Sequence, residues 1–283
     1  MQLDVDLDTL RDFTGLEPVQ LAIDGSNYLR VLEDLADDPH VTGTVLVGAD
    51  TRKLLPSRRR DRADEWVDFY HEHYRGLWGP AIEARLKGWV QGWSALYASG
   101  IPLDRLAARF FDTDARISPF YLLTRPSRER DADYRLVKQP DFYIGRVLRH
   151  LGQEIDFSSI RTMADFNGAV RRALDATPAG KALEPERFDE VNRLIEKLQA
   201  RGVEVALVRL PSSGLVWEID EHRWPRALGW DRFVAQTSAC TVHFRDYSEL
   251  SIDLPDGSHL DMRDKPGFTR ALIQVLIKAG MWH

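Results

Sequence analysis

Asp256 and His259 are three residues apart in a short polar segment near the end of the chain. The segment 254–261 reads Leu-Pro-Asp-Gly-Ser-His-Leu-Asp, and the glycine after the aspartate favours a tight turn. Such a turn would let the carboxylate reach the imidazole ring. A carboxylate in that position fixes the tautomer of a histidine that accepts a proton from a hydroxyl group. The same spacing also suits a turn aspartate that caps its own loop beside a surface histidine.

The hydroxyl group of Ser26 is the one that such a histidine would most naturally activate. It stands in the sequence Asp-Gly-Ser-Asn of residues 24–27, after the apolar run Val19–Ile23 and before a helical pattern. A serine between the end of a strand and the start of a helix is well placed for attack, with amide donors nearby. The alternative is a turn in which Ser26 or Asn27 only caps the helix. Ser212 and Ser213 are further candidates in a Pro-Ser-Ser-Gly loop.

Four apolar runs predict the strands that must position these residues, and each is continuous enough for a parallel sheet covered on both faces. The runs are Val19–Ile23, Thr44–Val47, Val203–Leu210 and Cys240–Phe244. Helical periodicity lies between and after them, in Leu29–Ala36, Phe188–Leu198 and Phe268–Ala279. This alternation predicts an α/β fold with a doubly wound parallel sheet.

Roughly 150 residues separate the second and third predicted strands, far more than one crossover helix requires. We therefore expect an α/β domain formed by residues 1–50 and 201–283, with a helical insertion or cap at residues 51–200. Two helical stripes in the insertion are rich in aromatic residues and either pack against the sheet domain or form a wall that binds sugars. The stripes are Trp66, Phe69, Tyr70, Tyr74, Trp78 and Leu86, Trp89, Val90, Trp93, Tyr97.

Composition excludes several classes of protein. Among 283 residues Cys240 is the only cysteine, which rules out an internal disulfide and a cysteine-based zinc site. The net charge of −6 gives no general attraction to nucleic acid. No apolar stretch could cross a bilayer and the N-terminus is acidic, so the chain as written is expected in the cytoplasm.

His71 and His73 point apart on a helix and cannot share one metal ion. We therefore expect neither a metal nor a cofactor.

Several of these segments together resemble the SGNH (GDSL-like) hydrolase superfamily. Asp-Gly-Ser-His-Leu at 256–260, shortly before a helix that starts with Phe-Thr at 268–269, looks like the last block of that superfamily. Residues 204–214 are similar to the strand and loop before that block in cell-envelope members. Residues 19–26 with 31–36 look like the strand, glycine loop and helix of the second block. The resemblance covers the predicted sheet domain and leaves the insertion unassigned.

The resemblance implies a flavodoxin-like sheet and a serine ester hydrolase or O-acyltransferase. In that superfamily a histidine is the base and an aspartate orients it, which implies these roles for His259 and Asp256. Gly25 matches the second-block glycine whose amide helps to hold the oxyanion. The third block departs from the pattern, because Asp50 follows Gly48 where an asparagine should donate. An ionised carboxylate there would repel a developing oxyanion.

Two alignments of the nucleophile block stay open. In the first, Leu7–Phe13 is the helix after a nucleophile strand that lies upstream of Met1, and an anchor before that strand would place the protein at the cell envelope. In the second, Val19–Ile23 is the nucleophile strand, Ser26 attacks, and Gly48 supplies the second oxyanion donor. The expected substrate is a small or carbohydrate acyl ester. The competing hypothesis is a non-catalytic domain of this fold that binds a glycan or a protein.

Overall fold

The computed structural model describes residues 1–54, 60–74, 121–125 and 127–282, which form two compact units. The first unit contains the described residues of Met1–Asp34, Arg58–Val137 and Leu260–Arg270. The second, called the sheet unit below, contains those of Leu35–Ser57, Lys138–His259 and Ala271–His283. No helix in the described part of the chain is long and apolar enough to cross a membrane.

Helices and strands alternate through the described residues, which gives a mixed α/β protein. The helices are α1 (Leu7–Thr14), α2 (Leu29–Asp37), α3 (Arg62–Phe69), α4 (Asp141–Leu151), α5 (Met163–Asp175), α6 (Asp189–Gln199), α7 (Gly214–Arg223), α8 (Trp230–Val234) and α9 (Lys265–Lys278). The strands are β1 (Thr44–Gly48), β2 (Leu122–Thr124), β3 (Arg130–Ala132), β4 (Glu204–Arg209) and β5 (Cys240–His243).

The sheet unit is built on a parallel sheet of three strands in the order β1, β4, β5. Thr44 is in register with Glu204, and Ala206 with Cys240. The central strand β4 is buried from Val205 to Val208, as its uninterrupted apolar run predicts. Three of the four predicted strands are therefore confirmed, and their parallel pairing brings all three carboxyl ends to one edge of the sheet.

The predicted strand at Val19–Ile23 is wrong, because this segment is irregular and pairs with no strand among the described residues. Val19 is 75% exposed and Leu21 is also exposed, whereas the polar Gln20 between them is buried. The Gln20 side chain accepts a hydrogen bond from the amide of Ala22. Strand propensity is realised only where a neighbouring strand and a packing surface are supplied, and this run has neither.

The predicted helices are present with small shifts at their ends. Helix α6 buries Val191, Leu194, Ile195 and Leu198, the face that its periodicity predicts. Helix α9 begins at Lys265, three residues before the predicted start at Phe268. The helical lead-in at Leu7–Phe13 is α1, which Asp6 caps by accepting a hydrogen bond from the amide of Thr9.

The first aromatic stripe lies on α3 and on a turn of π-helix at Tyr70–Tyr74. Trp66 is 58% exposed, and Phe69 and Tyr70 are exposed as well. The interpretation that the stripe packs against a domain core is therefore wrong for these three residues. The residues of this helix that face inward are Ala63 and Val67. Trp78 and the whole second stripe lie outside the described residues.

Within the first unit, strands β2 and β3 form an antiparallel hairpin. The amino end of α9 is tied to this hairpin by Lys265, whose side chain is completely buried. Its ammonium group donates hydrogen bonds to the carboxylates of Glu129 (2.7 Å) and Asp131 (2.9 Å) and to the carbonyl of Arg130 (3.0 Å). Lys265 is therefore fully partnered in the interior of this unit.

Helices α4, α5 and α6 belong to the sheet unit, together with strands β1, β4 and β5. The predicted insertion at residues 51–200 thus contributes residues 138–200 to the same compact unit as the sheet. The predicted boundaries at residues 50 and 201 stay a prediction.

Candidate active site

The turn that contains Asp256 and His259 is formed by local hydrogen bonds. Oδ1 of Asp256 accepts hydrogen bonds from the amides of Ser258 (2.8 Å) and His259 (2.7 Å). The amide of Gly257 donates to the carbonyl of Leu254 at 3.0 Å, and Gly257 has a φ of +77°, which favours glycine. The aspartate thus folds the chain back so that its own carboxylate meets the histidine.

The turn is also anchored to the start of α7. The amide of Ser213 donates to the carbonyl of Gly257 (2.9 Å), and the hydroxyl of Ser213 accepts from the amide of Leu254 (3.0 Å). A Cβ atom on Gly257 would lie 2.6 Å from Cγ2 of Val216, so the turn packs closely on the helix. These contacts hold the turn at the carboxyl end of β4, where α/β proteins often bind ligands.

The Asp256 carboxylate meets one nitrogen of the His259 ring. Oδ2 of Asp256 lies 3.0 Å from Nδ1 of His259, and Oγ of Ser258 lies 2.8 Å from the same nitrogen. The Ser258 hydroxyl donates to Oδ1 of Asp256 at 3.1 Å. Because an ionised carboxylate only accepts hydrogen bonds, Nδ1 of a neutral ring must carry the proton. The lone pair is then on Nε2, the nitrogen that could accept a proton from a hydroxyl group.

Asp256 is ionised although its side chain is completely buried. Burial alone would raise the pKa of this carboxyl. The hydrogen bond and charge of His259, the charge of Arg146 and the amide of Ser258 outweigh burial and hold its pKa well below the usual range. A terminal guanidinium nitrogen of Arg146 lies 2.9 Å from Oδ2 of Asp256.

Arg146 is positioned by a small helical core in the sheet unit. Helix α4 packs against α7, and the two helices share a buried apolar cluster with α5. The cluster consists of Val147, Leu151, Phe166, Val170, Leu174, Leu215, Val216 and Ile219. The hydroxyl of Tyr143 on α4 also accepts a hydrogen bond from the amide of Leu215 at 2.9 Å. The helix that carries Arg146 and the helix that packs on Gly257 therefore form one rigid support.

One edge of the His259 ring is accessible. The side chain is 29% exposed, and Nε2 has no hydrogen-bond partner among the described residues. A buried, ionised carboxylate on one side and an open nitrogen on the other is the arrangement of a general base. The local sequence does not indicate that Arg146 contacts Asp256 or that the His259 ring is partly exposed.

Ser26 and Gly25 belong to the first unit, whereas Asp256 and His259 belong to the sheet unit. Ser26 lies in a turn, its amide donates to the carbonyl of Ile23 (3.2 Å), and it follows no strand. Its hydroxyl is buried without a hydrogen-bond partner among the described residues. The expected position of Ser26 at the end of a strand is therefore wrong.

Asn27 provides the capping contact that the sequence also allowed at this turn. Its side-chain oxygen accepts a hydrogen bond from the amide of Leu29, the first residue of α2, at 3.0 Å. Gly25 has a φ of +72°, a conformation typical of a turn glycine.

Gly48 and Asp50 lie at the carboxyl end of β1, in the sheet unit. Gly48 is in register with Val208 of the central strand. Oδ1 of Asp50 accepts a hydrogen bond from the amide of Lys53 (2.9 Å), which caps the short 3-10 helix Thr51–Leu54. Asp50 thus shapes the loop after β1 as an acceptor, which is the opposite of the donor role that an oxyanion site requires.

A second polar cluster at the end of β4 has no counterpart in the sequence predictions. A guanidinium nitrogen of Arg209 donates to the hydroxyl of Ser212 and to Oδ2 of Asp220, both at 3.1 Å. Oδ1 of Asp220 lies 3.7 Å from Nδ1 of His150. The sequence signal for this cluster is a charged arginine at the end of the apolar strand β4.

His243 is the buried strand residue that its position predicts. Nδ1 of His243 accepts a hydrogen bond from the amide of Arg245 at 3.1 Å. Burial, together with the positive charges of Arg226 and Arg209, lowers its pKa to about 3. The ring is therefore neutral at neutral pH.

Comparison of the chain with protein families, curated proteins and solved structures finds no match.

Proposed function

We propose that the protein is an SGNH-like ester hydrolase or O-acyltransferase that acts on a small or carbohydrate acyl ester. The observation that carries this proposal is the pairing of Asp256 with His259. A buried carboxylate holds Nδ1 of the ring and leaves Nε2 at its accessible edge. This is the half of a Ser-His-Asp site that removes a proton from the nucleophile and later returns it.

In the proposed reaction, Nε2 of His259 takes the proton of a serine hydroxyl while the serine oxygen attacks the ester carbonyl. The tetrahedral intermediate collapses, the alcohol leaves with the proton from His259, and the acyl group stays on the serine. Water or a sugar hydroxyl then gives a proton to His259 and attacks the acyl carbon. The bond to the serine oxygen breaks, and that oxygen takes the proton back from His259. Asp256 stabilises the imidazolium in both steps and stays ionised.

The doubly wound, flavodoxin-like arrangement is part of the same proposal. Three neighbouring parallel strands in chain order, β1, β4 and β5, are what one half of such a sheet would contain. The turn with Asp256 and His259 follows β5 in the chain and is hydrogen-bonded to Ser213, in the loop after the carboxyl end of β4. Ligands in open α/β sheets bind at this edge.

Two serines are candidates for the nucleophile of the proposed site. Ser26 is the candidate from the sequence, whereas Ser212 is a candidate within the sheet unit, although its hydroxyl already accepts a hydrogen bond from Arg209. Labelling with a fluorophosphonate, followed by trypsin and mass spectrometry, separates the two. Trypsin places Ser26 in peptide 12–30 and Ser212 in peptide 210–223. A label that is lost in His259→Ala marks the peptide of the nucleophile, and fragmentation of peptide 210–223 distinguishes Ser212 from Ser213.

Activity on a short acyl ester tests the proposal directly. We expect His259→Ala to lower kcat about 10²- to 10⁴-fold, the usual contribution of a general base. His40→Ala is the matched control, because His40 is exposed and only its backbone amide bonds to Asp38. Equal rates for the wild type and His259→Ala, with both folded, would rule out His259 as the base.

A non-catalytic domain is the second candidate function. Two observations favour it: the buried hydroxyl of Ser26 and the acceptor role of Asp50. On this hypothesis the wild type shows no turnover of acyl esters and no labelling by a fluorophosphonate, and instead binds a glycan or a protein. Retention of the wild type on a glycan array, without release of any acyl group, would support it.

A further inference from the structure

Arg146 approaches the same carboxylate oxygen as His259. Its terminal nitrogen lies 2.9 Å from Oδ2 of Asp256, and Nδ1 of His259 lies 3.0 Å from that oxygen. The Arg146 side chain is itself largely buried. The other carboxylate oxygen, Oδ1, is occupied by the amides of Ser258 and His259 and by the Ser258 hydroxyl. Both oxygens of Asp256 are therefore held by donors.

A guanidinium suits this position for a physical reason. Arginine stays charged at every pH that the protein meets, so it provides a permanent counter-charge for the carboxylate. The imidazole of His259, by contrast, changes charge whenever it accepts or releases a proton. Without Arg146, the buried Asp256 would have no cation beside it in each step in which His259 is neutral. An uncompensated buried carboxylate is costly and tends to take up a proton.

The packed helices α4, α5 and α7 fix the position from which Arg146 contacts Asp256. Val147, next to Arg146, is completely buried in the cluster shared by α4, α5 and α7. Val216 in the same cluster packs on Gly257 in the turn of Asp256 and His259. The guanidinium and the turn are thus carried by the same packed core, and neither can shift without disturbing it.

We infer that Arg146 is a positioning residue: it holds Oδ2 of Asp256 against Nδ1 of His259 and thereby fixes the tautomer that leaves Nε2 free to accept a proton. The role of this tautomer in catalysis rests on the proposed ester chemistry. The geometric claim, that Arg146 fixes the ring through Asp256, does not depend on it. The two are therefore tested by separate measurements.

Nitrogen NMR of the His259 ring tests the geometric claim. In full-length wild type at neutral pH, we expect one tautomer with the proton on Nδ1. In Arg146→Gln, we expect resonances from both tautomers or an exchange-broadened Nδ1 proton, and a higher pKa for the Asp256 carboxyl in a carbon NMR titration. Arg149→Gln is the matched control, because Arg149 is an exposed arginine on the same helix. Arg146→Lys should restore the single tautomer in part, since it returns the charge without the planar donors.

Ester turnover tests the catalytic part. We expect Arg146→Gln to lower kcat about 10- to 100-fold with KM nearly unchanged, as a misplaced base does, and Arg146→Lys to recover part of the loss. An unchanged His259 spectrum and an unchanged kcat in folded Arg146→Gln would overturn the inference.

A wild type without turnover would refute the proposed function instead, and the NMR comparison would still decide the role of Arg146. If Arg146→Gln fails to fold, the spectrum of Arg146→Lys decides: ring resonances identical to those of the wild type would contradict the need for a planar guanidinium.

Discussion

The imidazole of His259 lies 3.0 Å from the carboxylate of Asp256, a side chain with no exposed surface. Three further hydrogen bonds from Ser258 and from the His259 amide hold the second carboxylate oxygen. A buried carboxylate with this many donors stays ionised and cannot rotate. Its contact with the ring therefore has a defined direction.

Asp256→Asn should abolish most of any ester turnover. The asparagine oxygen can still accept hydrogen bonds from the amides of Ser258 and His259. The NH₂ group of the asparagine then faces Nδ1 of His259. The ring must present a lone pair to that group, which moves the proton to Nε2 and blocks it as a base. We expect kcat to fall about 10⁴-fold, as in a Ser-His-Asp site with the wrong tautomer. Asp253→Asn, at an exposed aspartate in the same loop, should keep the wild-type rate.

Gly257→Ala should destabilise the turn through two separable effects. The φ of +77° costs a non-glycine residue about 1–2 kcal/mol, and the new Cβ would meet Cγ2 of Val216 at 2.6 Å. Overpacking of this kind adds about 1–3 kcal/mol. Gly202→Ala is the control, because Gly202 has a φ of +80° with open space around it and should show only the first cost. Equal losses in urea unfolding would mean that Val216 moves aside freely.

Lys265→Met should lower the free energy of unfolding by about 3–5 kcal/mol, because it leaves Glu129 and Asp131 buried without their cation. The ammonium group of Lys265 bonds to both carboxylates within the first unit. Lys278→Met, at a lysine that is 68% exposed, should change stability by less than about 0.5 kcal/mol. Chemical denaturation of the two variants measures the difference. A loss below about 1 kcal/mol for Lys265→Met would show that Arg125, which bonds to Asp131 and lies 3.8 Å from Glu129, compensates both carboxylates by itself.

His243 should make the protein less stable in mild acid. Its pKa is about 3 in the folded protein, against about 6.5 for an unfolded histidine. The folded-state pKa is the lower one, so this contribution to stability is complete above pH 6.5 and is lost as the pH falls toward 3. At pH 5 we expect the wild type to have lost about 2 kcal/mol from this residue relative to pH 7.

The matched experiment compares His243→Asn with His40→Asn in urea unfolding at a series of pH values. Asparagine at 243 keeps an acceptor for the Arg245 amide but cannot take up a proton, so the acid-dependent loss should shrink in that variant. The exposed His40 should leave the pH dependence unchanged. Identical slopes for the wild type and His243→Asn between pH 7 and pH 5 would contradict the buried, neutral state of this ring.

Several elements were predictable because their determinants are local. The apolar runs of β1, β4 and β5 and the amphipathic periodicity of α6 are written in consecutive residues, and the structure confirms them. The turn of Asp256 and His259 is likewise local, since an aspartate, a glycine and a histidine within four positions bring the carboxylate to the ring. Such features require no knowledge of distant segments.

Other features depended on segments far apart in the chain. Val19–Ile23 has the composition of a strand, but β1, β4 and β5 pair with one another and no partner strand for it exists among the described residues. Arg146 reaches Asp256 across more than a hundred positions because the core of α4, α5 and α7 carries it there. Composition and periodicity specify which residues are apolar or charged. Only the packing of distant elements selects which strand finds a neighbour and which buried charge finds its partner, because both are long-range contacts.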